Sequence, residues 1–182
     1  MIDFRTITYE EVGQGIVREE ELEGISNEKR RREKIMTLAL VRGYLGREVT
    51  IGHRDDGSPF VAEEPELFLS LSHSGNRAAA AFSKTAPVGI DIQEPSQKLF
   101  RVAERFLRPE EIDFWGHSAD NLLRAWTIKE AVYKAAGIKD LLSGEIFLYR
   151  GQEYAEVKHC GETIRYNLEF PEPGITVCIR NS

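Results

Sequence analysis

Two short stretches, residues 88–93 and 120–136, constrain this chain more tightly than any other. Val88, Ile90 and Ile92 alternate with Gly89, Asp91 and Gln93, the period of a strand whose successive side chains point to opposite faces. The apolar set turns to a core, and Asp91 and Gln93 project together. Leu122, Ala125, Ile128, Val132 and Ala135 recur at helical spacing. That spacing buries one stripe and leaves Glu130 and Lys134, one turn apart, on the other side.

A strand carboxylate facing a helix carboxylate meets the needs of a magnesium ion, which takes one or two protein carboxylates and completes its octahedron with water and phosphate oxygens. Lys129 and Lys134 beside those acids suit phosphate as flexible point charges. The spacing therefore points to phosphate chemistry. The competing reading is a surface pair, since a glutamate four residues before a lysine is a common helix contact worth roughly 0.2–0.5 kcal/mol.

Around these stretches, residues 2–8 read as a first strand and 27–45 as a helix capped by Ser26 or Asn27, with a turn at Asp55–Pro59. The pattern predicts strands at 67–72, 78–83 and 88–93 that form a meander, with small side chains at Ala78–Ala81 admitting a close neighbour. Helices are expected at 99–107, 109–115 and 120–136, with Pro109 in a first turn. Strands at 145–150, 153–159, 163–170 and 175–180 are separated by turn residues and suggest antiparallel hairpins.

Apolar residues make up 41% of the 182, charged residues 30%, and no tract is of low complexity, which argues against disorder and fibrous folds. The net charge of -6 argues against general nucleic-acid binding. The opening residues lack a basic stretch leading into an apolar one, and no apolar run approaches membrane-spanning length, so a cytoplasmic protein without membrane contact is expected. Cys160 and Cys178 lack the spacing of a zinc site and are expected as reduced thiols. Trp126 and Tyr133 are expected in the core. Arg101, Arg105 and Arg108 repeat at i, i+4 and i+7 as a basic stripe beside the proposed site.

At these residues the chain resembles the 4'-phosphopantetheinyl transferases of the larger, monomeric type. Gly89, Ile90 and Asp91 fill one family motif, and Trp126, Lys129, Glu130, Ala131 and Lys134 fill the second, about forty residues on. Upstream, Gly57, Ser58 and Pro59, then Leu69–Ser74 with Ser72 and His73, follow in the family's order. The resemblance covers about residues 26–145. It implies an α+β fold of two similarly built lobes, each a small antiparallel sheet packed with helices and related by a pseudo-twofold axis. The division would fall at 1–87, with nucleotide and phosphate contacts, and 88–182, with the metal site and catalytic helix, coenzyme A lying between them.

The resemblance also implies a holo-acyl-carrier-protein synthase type of reaction. Phosphopantetheine would pass from coenzyme A to a serine of an acyl, peptidyl or polyketide apo carrier protein. It makes Asp91, Glu130 and Gln93 the ligands of Mg2+ and Glu130 the general base. Ser72, His73, Lys129, Lys134 and Arg31, from the basic run 29–34, become contacts to coenzyme A. Two departures stand out: Gln93 where many relatives carry glutamate, and Ser58 where they often carry lysine, a loss that Arg54 or Lys84 would have to cover. The alternative is a catalytically impaired module of the same fold that binds coenzyme A or a carrier. A hydrolase built on Ser72 and His73 is disfavoured, because adjacent strand residues seldom aim at each other and no nucleophile elbow surrounds the serine.

Overall fold

The computed structural model describes residues 2–13 and 15–181. Its elements are antiparallel sheets and four α-helices, an α+β fold. One sheet has the order β1–β5–β4, from Asp3–Thr8, Arg77–Ser83 and Phe68–Ser74. A second has the order β6–β10–β9–β8–β7, from Val88–Ile92, Ile175–Arg180, Glu162–Glu169, Tyr154–His159 and Ile146–Leu148. A hairpin, β2 (Ile51–His53) and β3 (Pro59–Val61), carries the Asp55–Pro59 turn.

These sheets lie in a four-layer stack that the alternation of β5 explains. Ala78, Ala80 and Phe82 face helix α1 (Glu28–Leu45) through Met36, Leu40 and Val41. Ala79 and Ala81, on the reverse side, pack against Val88, Ile90, Ile92, Ile175 and Val177 of the second sheet. The far face of that sheet, with Ala155, Tyr166 and Cys178, packs under α4 (Ala119–Ala136). Alanines in the middle strand bring both neighbours close, as their size predicts.

The helices begin and end on local chemistry. Asn27, one of the two expected caps, accepts from the Arg30 amide, and Ser118 accepts from the Asn121 amide at the start of α4, satisfying one orphan donor each. Gly137 closes α4 with φ 58°, the left-handed conformation that glycine adopts without a Cβ penalty. Helix α2 (Lys98–Phe106) buries Leu99, Ala103 and Phe106, and α3 (Pro109–Trp115) starts on its proline. Trp126 is partly buried and meets Phe106 edge-on at 5.2 Å, in line with its expected place. Tyr133 is 44% exposed and corrects the expectation of a core residue.

The expected meander is also corrected. Strands β4 and β5 form a hairpin, but β6 leaves that sheet and pairs with β10, Asp91 lying opposite Thr176. The other side of β5 is taken by β1. Both β4 and β6 are therefore edge strands, and they meet without a backbone ladder. The hydroxyls of Ser70, Ser72 and Ser74 accept from the amides of Ile90, Ile92 and Glu94 at 3.1, 3.2 and 3.0 Å. Alternate residues of one strand thus satisfy alternate amides of the other, donors that would otherwise be costly to bury.

Gly89 sets how closely α4 lies on β6, since a Cβ there would stand 1.9 Å from the Ala131 carbonyl oxygen. Backbone on both sides leaves no flexible atom to yield. Gly89→Ala should cost about 3 kcal/mol, read as a lower midpoint in urea with an unchanged slope; an unshifted midpoint would show that the contact is not tight.

Candidate active site

The phase of β6 places Asp91 on the α4 face of its sheet, and the phase of α4 brings Thr127, Glu130 and Lys134 down that side. Lys134 donates from Nζ to Asp91 Oδ1 at 2.7 Å and to the Ile90 carbonyl at 3.0 Å. An ammonium has three donors, so one N–H remains for an anion. Ser72 donates from Oγ to the same Asp91 Oδ1 at 2.8 Å. Asp91 is buried, and its Oδ2 has no hydrogen-bond partner among the described residues. Leaving a buried acceptor in that state costs about 1–3 kcal/mol, so the atom points to a ligand.

Glu130 is half-buried one turn from Lys134. Burial pushes its carboxyl above the usual range, the charge on Asp91 adds to the rise, and Lys134 opposes it. Two carboxylates within each other's field, one of them orphaned, are the hard-oxygen donor set that a divalent cation takes. Among the described residues no group of three or more His, Cys, Asp or Glu side chains gathers as a metal site, so the donor set stays at two acids. Gln93 lies one residue beyond β6 and turns its Nε2 to the Glu94 carbonyl at 3.0 Å, which leaves Oε1 as its acceptor. Behind Asp91, the hydroxyls of Thr127 and Thr176 share a buried 2.8 Å bond, a pair not singled out from the sequence although Thr127 stands three residues before Glu130.

Three expected contacts to coenzyme A change. Lys129 is buried, ion-paired with Glu111 at 2.7 Å, and donates to the carbonyls of Ser143 and Ile146. Burial lowers its ammonium below the usual lysine value while Glu111 opposes the shift. All three donors are spent inside the fold, so it is not a phosphate contact. Ser72 gives its only proton to Asp91 and accepts from Ile92, which leaves no donor for a phosphate. Arg31 pairs with Glu19, on the side of α1 opposite the one that faces His73, two residues being about 200° of helix.

His73 does lie beside this site. Its Nε2 is 2.8 Å from Thr37 Oγ1, and burial holds the imidazole below its usual value, with Lys134 and Lys29 adding and Glu33 opposing. Lys29 and Glu33 are charges of α1 that act on His73, and Arg31 is not among them. A cleft of about 390 Å3 opens along the free edge of β4 between the β2–β3 turn and the end of α4, lined by Ser58, Pro59, Leu71, Tyr133, Lys134 and Ile138 among others. Arg54 is spent on the turn itself, donating to the Pro59 carbonyl and stacking on Phe60. His159 pairs with Glu145 at 2.8 Å.

The model of the 4'-phosphopantetheinyl transferase superfamily matches residues 87–163, the stretch that holds Asp91, Glu130 and Lys134. The chain is 34% identical over 112 residues to the 4'-phosphopantetheinyl transferase HetI of Nostoc sp. strain PCC 7120, covering 54% of this chain and 47% of that protein. It is 36% identical over 87 residues to psf-1 of Bacillus pumilus, covering 45% and 37%. With Sfp of Bacillus subtilis strain 168 it shares 27% over 110 residues, covering 54% and 49%. The matches span about half the length of these relatives or less. No helix among the described residues is long and apolar enough to cross a membrane.

Lys129 offers a direct check on the corrected roles. Lys129→Met strands Glu111 in the core and should cost about 3–5 kcal/mol, read as a lower thermal midpoint; an unshifted midpoint would restore Lys129 to the site.

Proposed function

We propose that this chain, whose residues 87–163 match the model of the 4'-phosphopantetheinyl transferase superfamily, moves the phosphopantetheine arm of coenzyme A onto a serine hydroxyl of an apo carrier protein. The observation that carries the reading is the orphaned Asp91 Oδ2, buried beneath a helix that presents Glu130 and Lys134. Acyl, peptidyl and polyketide carriers are the partner class, and two lobes, 1–87 and 88–182, are the working division of the chain.

Asp91 and Glu130, with Gln93 as a further oxygen, would hold a magnesium ion, which when bound neutralises pyrophosphate charge. The remaining steps belong to side chains. The free N–H of Lys134 steadies the pyrophosphate, and His73 with Lys29 serves the nucleotide's 3'-phosphate, the neutral imidazole acting as a hydrogen-bond donor. The cleft beside Tyr133 and Pro59 receives the nucleoside end. Glu130, whose raised pKa makes it a better proton acceptor, takes the proton of the carrier serine as that oxygen attacks the phosphorus bearing the arm. The bond to the bridging oxygen breaks, and adenosine 3',5'-bisphosphate leaves with the electron pair. Positioning and charge neutralisation suffice, with no covalent enzyme intermediate.

Arg101 and Arg105 are exposed on α2, which follows β6 directly, and a carrier with acidic side chains is the partner they suit. Charge reversal at both should raise the Michaelis constant for the carrier and leave that for coenzyme A alone; unchanged carrier kinetics would remove α2 from the docking face.

Incubation with coenzyme A, magnesium and several apo carrier proteins should add the mass of the arm to a carrier, read by mass spectrometry. Glu130→Gln should slow that transfer by about 10²–10⁴-fold. No added mass on any carrier, or undiminished transfer by the variant, would overturn the proposal.

A further inference from the structure

Ser70, Ser72 and Ser74 do the same work at the seam, but only one of them does more. Each hydroxyl accepts from an amide of β6 or, for Ser74, of Glu94 just beyond it. Ser72 alone also donates its proton, to Asp91 Oδ1. With Lys134 on the same oxygen, both contacts to the carboxylate fall on Oδ1, and the plane of the group turns Oδ2 out of the network as its one unpartnered atom. A hydroxyl has one proton, and the amide of Ile92, bonded to Ser72 Oγ at 3.2 Å, fixes the oxygen from which that proton is given. Backbone, hydroxyl and carboxylate thus form one chain of bonds running from the β6 amide to the orphaned oxygen.

We propose that Ser72 is a positioning residue for the cation: it aims Asp91 so that Oδ2 alone meets the ion, as a single, monodentate oxygen. This inference rests on the reading of Asp91 as a cation ligand made above. It separates Ser72 from the contact to the nucleotide that the sequence resemblance implies for it. Losing an outer partner of a ligating carboxylate typically weakens metal affinity by 10–100-fold, and Ser70 and Ser74 supply the internal control, since they share the seam bond and lack the bond to Asp91.

Titration calorimetry of the ligand-free full chain with Mn2+, a spectroscopically convenient stand-in for magnesium, tests this without turnover. Ser72→Ala should weaken Mn2+ binding about 10–100-fold, while Ser70→Ala and Ser74→Ala bind it like the parent even though all three lower the thermal midpoint. Ser72→Thr, which keeps the hydroxyl, should retain affinity, and Ser72→Cys, a far weaker donor, should lose it; this pair decides the matter if the alanine variant does not fold. Equal affinities across the serine variants, with Asp91→Asn impaired, would overturn the positioning role and spare the metal site. A parent that binds no Mn2+, or an Asp91→Asn that binds it equally well, would overturn the site itself and this inference with it.

Discussion

Everything in this molecule that bears on chemistry depends on how the edge of β6 is satisfied. An edge strand buried against another sheet must find partners for its amides, and here three serine hydroxyls on β4 provide them in place of a ladder. The solution holds the two sheets at side-chain distance rather than backbone distance. It also delivers a hydroxyl to Asp91, and it leaves the Ile90 carbonyl free to be taken by Lys134. A true β-ladder along the same edge would have consumed that carbonyl, and the lysine would have lost its second anchor.

The close approach at Gly89 then fixes the depth of the site. Because α4 rests almost on the β6 backbone, Glu130 is drawn under partial cover and into the field of Asp91, and burial raises its proton affinity. Two acids placed so would repel each other without a cation, and Lys134 is the only cation bonded to Asp91 among the described residues. One ammonium against two carboxylates leaves the cluster with an unbalanced negative charge and an unpartnered oxygen. Both point the same way, toward a divalent ion.

The parts of this arrangement written in local periodicity were legible before any coordinates. The α4 stripe, the alternation of β6, the alanine strand β5, the cap at Asn27 and the helix start at Pro109 are each decided within a few residues. What was not legible required partners distant in sequence. Lys129 looks like an outward lysine until Glu111 of α3 and two carbonyls of the segment after α4 arrive to enclose it. The pairing of β6 with β10 joins segments more than eighty residues apart and has no signature in the 67–93 region that suggested a meander. Ser72 closes a strand that the pattern predicts, but nothing local names its partner, and only its register against Asp91 reveals where its proton goes. Arg31 was recoverable: helical phase sets it opposite Lys29 and Glu33, and counting residues along α1 separates the two faces.

The central claim is that Asp91 and Glu130 share one divalent ion against the pyrophosphate of coenzyme A. Anomalous diffraction at the manganese edge, from crystals grown with Mn2+ and coenzyme A, tests it most directly. The account predicts a single strong peak bonded to Asp91 Oδ2, a Glu130 oxygen and pyrophosphate oxygens. A peak that touches neither carboxylate, or coenzyme A bound with its pyrophosphate elsewhere, would contradict it.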